Sequence, residues 1–219
     1  MASYSLFEVV GVELEYMIVD KDNLSVKPIA DKLFLAEAGD SRNEIDKDKV
    51  SWSNELALHV VELKTRMPIQ KLDGFEVEFQ KEIDCINKQL ISESACLLGS
   101  GMHPLMDPFC EMKLWPHENT EIYKTFDKIF DCRGHGWANL QSTHINLPFA
   151  NEAEFYKLHT AIRLVLPLLP ALAASTPICD GKIQKSLDQR LVVYKNNAKK
   201  IPSVAGKVIP ERISTFTGY

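Results

Sequence analysis

The chain has 219 residues, 45% of them apolar and 25% charged, with a formal net charge of −5. This is ordinary globular composition, enough to bury a core without disulfide staples. It excludes collagen-like, low-complexity and disordered classes, and without a basic excess it does not point to a nucleic-acid surface.

In chain order, residues 5–20 read as a strand, because Val9, Val10, Val12, Tyr16, Ile18 and Val19 are strand formers, with Gly11 as a breaker or bulge. The opening residues carry no basic run before an apolar stretch, so no secretory leader is expected. Residues 20–23 read as a turn, and 40–49 are charged enough to predict an exposed loop. A second strand is predicted over 56–65. Phe75, Phe79, Ile83, Ile86 and Leu90 recur every three or four residues, which predicts an amphipathic helix over 72–92.

Ala95 to Leu98 is a short buried strand, followed by the turn GSGMHP. A helix is predicted over 119–132, and a third strand over 138–147. Asn151 and Glu154 have capping-box spacing ahead of the stripe Phe155, Leu158, Ile162, Leu166 and Leu169. Pro167 should kink or restart that helix. Leu164 to Ala174 is the most apolar stretch, but a spanning helix needs roughly 20 apolar residues, so it reads as core and no membrane is involved. Residues 184–196 suggest a further helix, and 199–219 look irregular on their own. The five cysteines, odd in number and without a CxxC pair, suit reduced thiols in the cytoplasm.

Three patterns carry chemistry. Glu13 and Glu15 are two apart, so on a strand both project from one face. Such a pair repels unless a hard cation such as Mg²⁺ or Mn²⁺ sits between them; by itself it equally describes a solvent face. Glu62 lies inside an apolar run, where a lone carboxylate is costly to bury. It is either partnered there or turned outward on an edge strand beside Lys64. Glu55 is seven residues away, so on a flat strand the two would face opposite sides. A shared site needs a bulge, or Glu55 in the preceding loop. His144 and Asn146 also share a strand face, and either can bind metal or phosphate or be purely structural. HExxH, a P-loop, GxGxxG and GxSxG are absent, and a metal-dependent hydrolase lacks its usual bridging motifs.

The ordered segments VGVELEYMIVD, NELALHVVELKT, GSGMHP, STHINLPF and LVLPLLPALAASTPICDG together resemble glutamate–cysteine ligase type 2 and its carboxylate–amine ligase relatives. The resemblance implies an α+β fold: a curved antiparallel sheet with helices packed on its outer face, related to the glutamine synthetase catalytic domain. It implies an ATP-dependent ligase with Mg²⁺ (or Mn²⁺), acting on small-molecule carboxylate and amine substrates, glutamate and cysteine first, in glutathione biosynthesis. It places metal ligands at Glu13, Glu15, Glu55, Glu62 and His144, and nucleotide or substrate contacts at Asn146 and Arg190. For Arg190 a solvated basic helix face with Lys185 and Lys195 is an equal reading. No catalytic residue and no oligomeric state follow from it.

Family chains are longer, and their late acidic strand has no counterpart after His144. Residues 1–219 are therefore expected to form one partial catalytic domain. The alternative is a catalytically inactive domain that binds nucleotide, metal or a partner.

Overall fold

A computed structural model describes residues 4–206 and 210–219, so the readings that touch residues 1–3 and 207–209 lie outside the described residues. The central element is β1 (Gly11–Asp20), whose run of β-branched and aromatic residues alternates between two faces. It is followed by α1 (Ala30–Ala38), β2 (Glu44–Asp46), β3 (Val50–Asn54) and β4 (Val60–Thr65). Then come α2 (Glu76–Leu90), β5 (Ala95–Leu98), α3 (Pro108–Glu111), α4 (Thr120–Phe130), α5 (His135–Ala138) and β6 (Thr143–Asn146). The remainder comprises α6 (Glu152–Val165), α7 (Leu169–Ala173), a small hairpin β7 (Ile178–Cys179) and β8 (Lys182–Ile183), α8 (Gln189–Tyr194) and α9 (Pro202–Ala205).

The main sheet has six strands in the order β2-β3-β4-β1-β5, with β6 also pairing β1. Every pairing is antiparallel. The fold is α+β, as the sequence resemblance implies. Val12, Leu14, Tyr16 and Ile18 face one side with Val61, Leu63 and Trp52. There they meet Leu33 and Phe34 of α1 and Phe79, Ile86 and Leu90 of α2 in the larger core. The opposite side of β1 carries Glu13 and Glu15, then Met17 and Val19. The latter two are packed into a smaller core with Met106, Met112, Cys132 and Ala138. One half of that face is therefore a second core and the other half is acidic.

Several expectations need correction. The strand predicted from residue 5 begins at Gly11, and the one predicted over 56–65 is confined to Val60–Thr65. The predicted 40–49 loop contains edge strand β2, and Ile45 within it is buried. The third strand shrinks to Thr143–Asn146: Ala138 closes α5, and residues 139–142 connect it to the strand as irregular backbone. The helix expected over 184–196 is only Gln189–Tyr194. The apolar run 164–174 is not core. Leu164 is 75% exposed and Leu172 80% exposed, because α6 spends its buried face on Phe155, Leu158 and His159. Pro167 does end α6, and α7 restarts two residues later with Pro170 in its first turn.

Among the described residues no helix is long and apolar enough to cross a membrane. All five cysteines are free.

Candidate metal and substrate site

The strand register assembles the acidic face. Glu15 lies opposite Glu62 of β4, while Glu13 lies opposite Lys64 on one side and His144 of β6 on the other. Ser53 of β3 lies opposite Glu62. Glu62 is therefore on a central strand, 8% exposed, and the edge-strand reading for it is wrong. Glu55 is in the loop just after β3, which removes the parity conflict with Glu62.

Each carboxylate is held by a specific donor. Glu13 accepts from His144 Nδ1 at 2.7 Å and from Asn146 Nδ2 at 2.7 Å, one on each oxygen. Glu15 accepts the backbone N–H of Ser142 at 2.9 Å, and its other oxygen is 3.8 Å from His144 Nε2. The Ser53 hydroxyl donates to Glu62 at 2.6 Å. A carboxylate can only accept when ionised, so His144 carries its proton on Nδ1.

The electrostatics follow from crowding. Burial, with the charges of Glu15 and Glu62 beside it, pushes the Glu55 carboxyl up to about 7. Burial also raises Glu15, against the hydrogen bond from Ser142. At Glu13 burial pulls upward, but the hydrogen bonds from His144 and Asn146 outweigh it and hold the carboxyl below its ordinary range. His144 shows the converse. Burial pulls its pKa down, while the Glu13 hydrogen bond and the charges of Glu15 and Glu13 raise it.

Two groups of donor atoms, Glu13/Glu62/His144 and Glu15/Glu55/Glu62, each lie within 4.8 Å, with Glu62 common to both. Four carboxylates and one imidazole form a hard donor set that fits Mg²⁺ or Mn²⁺ better than a thiolate-seeking ion. The raised Glu15 and Glu55 mark excess negative charge that a divalent cation would neutralise.

Asn146 joins this group through Glu13, whereas Arg190 lies at the Glu15 end. Arg190 reaches the carbonyls of Gln141 and Ala173 at 3.2 and 3.3 Å and Asp188 at 3.4 Å. It is half-buried in a cleft rather than on a solvated helix face. Sequence reasoning missed Ser53, Tyr16, Gln141 and the part played by Gly99 and Gly101. A Cβ on Gly101 would sit 2.7 Å from Arg190 Nη1, and one on Gly99 would sit 3.3 Å from the Tyr16 ring. The two glycines thus allow close approach by side chains, which the spacing GSG alone does not reveal.

A third group, His135, Cys179 and Asp180, also brings donor atoms within 4.8 Å. The Asn139 amide is fixed by the backbone N–H and carbonyl of His103, so its Nδ2 donates to His135 Nδ1. The ring proton is then on Nε2, pointing at Asp180 at 3.0 Å. That nitrogen offers a cation no lone pair, and burial, with the nearby Asp180, raises the Cys179 thiol. The group reads as a structural clasp between α5 and the β7–β8 hairpin.

A sequence model of glutamate-cysteine ligase family 2 matches residues 9–219. An uncharacterized protein of Archaeoglobus fulgidus is 38% identical over 212 residues, which are 96% of this chain and 56% of that protein. The chain thus spans little more than half the length of that relative.

Proposed function

Because the chain belongs to glutamate-cysteine ligase family 2, we propose that it carries the metal and nucleotide site of an ATP-dependent carboxylate–amine ligase. Family membership suggests ligase-type activity. The finer reading is supported chiefly by one observation: Glu13, Glu15, Glu55, Glu62 and His144, drawn from three strands and a loop, converge on one sheet face.

In this reading those five residues hold divalent cations. Mg²⁺ or Mn²⁺ held there would supply positive charge that offsets the negative charge of phosphoryl transfer. Ser53 and the Ser142 backbone fix two carboxylates, and Asn146 fixes Glu13. Asn146 and Arg190 face nucleotide or substrate. The γ-phosphate passes to a substrate carboxylate, giving an acyl phosphate and ADP. An amine then attacks the activated carbonyl, an amide bond forms and phosphate leaves. The carboxylates of the chain position charge and do not act as nucleophiles. Residues 1–219 act as one catalytic domain, complete or partial.

The test is ADP release with Mg·ATP, glutamate and cysteine. Amine-dependent release that stops when the metal is chelated supports the reading, and release independent of any amine contradicts it. A second reading is favoured by the chain's spanning 56% of its relative: a domain that binds metal and nucleotide without turnover. Multiple turnovers by these 219 residues eliminate it.

A further inference from the structure

We infer that the aromatic hollow between α6 and the turn at residues 215–219 is a binding site for a small phenolic molecule. This goes beyond the ligase reading, and the hollow shares no residue with the acidic cluster. Phe155, Leu158, His159 and Ile162 follow one another at the spacing of three and four that places side chains on one face of α6. With them stand Phe149, just before the helix, and Phe216 of the 3₁₀ turn Phe216–Gly218. The Phe216 N–H donates to Glu152 at 3.0 Å, which pins the turn to the helix, and the Thr215 hydroxyl accepts the Gly218 N–H at 3.2 Å. The hollow between them measures about 320 Å³, at the small end of the roughly 300–1,000 Å³ of ligand sites. That is room for one substituted ring.

One residue does not match its surroundings. His159 is 7% exposed, and among the described residues neither of its ring nitrogens has a hydrogen-bond partner. Its ring lies against Phe155, with centroids 5.6 Å apart and planes at 30°, and meets the edge of Tyr219 at 6.1 Å and 86°. A neutral imidazole offers one donor and one acceptor. Leaving both unmade in an apolar setting is costly, so an apolar side chain would serve this position better if packing were its whole task. The unpaired imidazole marks the point where a ligand can supply what the fold does not.

The walls select the ligand class. Phe149–Phe155, Phe155–Phe216 and Phe149–Phe216 meet at 5.2, 5.5 and 5.7 Å with tilted or edge-on planes, so a further ring finds both faces and edges to pack against. Among the described residues no carboxylate, ammonium or guanidinium group lines the hollow, which disfavours a charged ligand. A phenolic hydroxyl can donate to the bare imidazole nitrogen or accept from the protonated one. Tyr219 already brings such a ring to the rim, packed edge-on against Phe155 at 5.6 Å. It covers His159 without pairing it. Tyr219 is 82% exposed, so displacing its ring uncovers little buried surface. A free phenol that takes its place can bring the hydroxyl to the imidazole.

Calorimetric titrations with p-cresol, and with toluene, which lacks the hydroxyl, test this. The wild type is expected to bind p-cresol at least fivefold more tightly than toluene. His159→Leu should remove that preference, weakening p-cresol at least fivefold while leaving toluene within twofold. A histidine that only packs would move both ligands or neither. Ile162→Trp, at a position that is 41% exposed, fills the hollow and should weaken both ligands at least tenfold. It carries the test if His159→Leu fails to fold. Tyr219→Ala should bind p-cresol at least as tightly as the wild type, because no ring has to be displaced. The inference is overturned if the wild type does not bind p-cresol or binds it no more tightly than toluene. Unchanged p-cresol affinity in His159→Leu or in Ile162→Trp, or weaker binding in Tyr219→Ala, overturns it as well.

Discussion

Glu62 sits on a central strand with Glu15 directly across from it and the Ser53 hydroxyl donating to it at 2.6 Å. It is the one residue common to both groups of candidate ligand atoms. Glu62→Gln keeps the shape and removes a charge, so Mn²⁺ affinity followed by electron spin resonance is expected to fall at least tenfold, about 1.4 kcal/mol. Thermal stability of the metal-free protein is expected to hold or rise, because like-charge crowding is relieved. Unchanged Mn²⁺ affinity would remove Glu62 from the site. His59 makes a different, pH-dependent contribution. Its Nε2 faces the Ala138 carbonyl at 2.8 Å, and burial holds its pKa down to about 4 against that bond and the charge of Glu111, with His103 adding to the depression. As pH falls below its ordinary 6.5, the unfolded chain takes up the proton before the folded one does. The stability this residue contributes is therefore full above about pH 6.5 and is lost on descending to about pH 4. His59→Gln, which can keep the bond to Ala138, should show a stability gap to wild type that narrows from pH 7 to pH 4.5. A gap independent of pH counts against the assignment.

At the scale of elements, α6 is set by its first turn. Asn151 accepts the Glu154 N–H at 3.0 Å, and the Glu154 carboxylate accepts from Ala150 and from Leu6, which ties the N-terminal segment to the helix. Asn151→Ala should lower stability by about 1 kcal/mol in denaturant unfolding, and Asn151→Asp should restore it. That cap was readable because capping chemistry is local. Strands were readable where side chains alternate, as along β1, or where a short apolar run is bounded by turn residues, as at β5. β3 was not, because Ser51, Trp52, Ser53 and Asn54 are all buried while three of the four are polar, a pattern that reads as loop. The misreading of 164–174 has the opposite cause. An apolar run resembles core whichever way it faces, and α6 had already turned Phe155 and Leu158 inward. Exposed Leu164 and Leu172 on this segment contribute little to folding. Their joint replacement by Gln should change unfolding stability by less than about 1 kcal/mol, the sum of two surface substitutions.

Over the whole molecule, the period of two along a strand was enough to place Glu13 with Glu15 and His144 with Asn146. It could not say that these pairs meet, because the meeting depends on register between segments far apart in sequence: Glu13 with His144 and Glu15 with Glu62. Nor does any local pattern record the parting of β5 from β6, which opens the cleft that holds Arg190. The sheet thus turns three separated acidic or polar motifs into one face, closed by a small core at the Met17 end and open at the Glu13 end. In the proposed function this face binds nucleotide through divalent metal. Calorimetric titration of AMP-PNP into the wild type and Glu13→Gln, with Mg²⁺ and with EDTA, measures that dependence. Binding is expected in the wild type with Mg²⁺, to be lost with EDTA, and to be at least tenfold weaker in Glu13→Gln. Equal affinity with and without metal, or in wild type and variant alike, would contradict it.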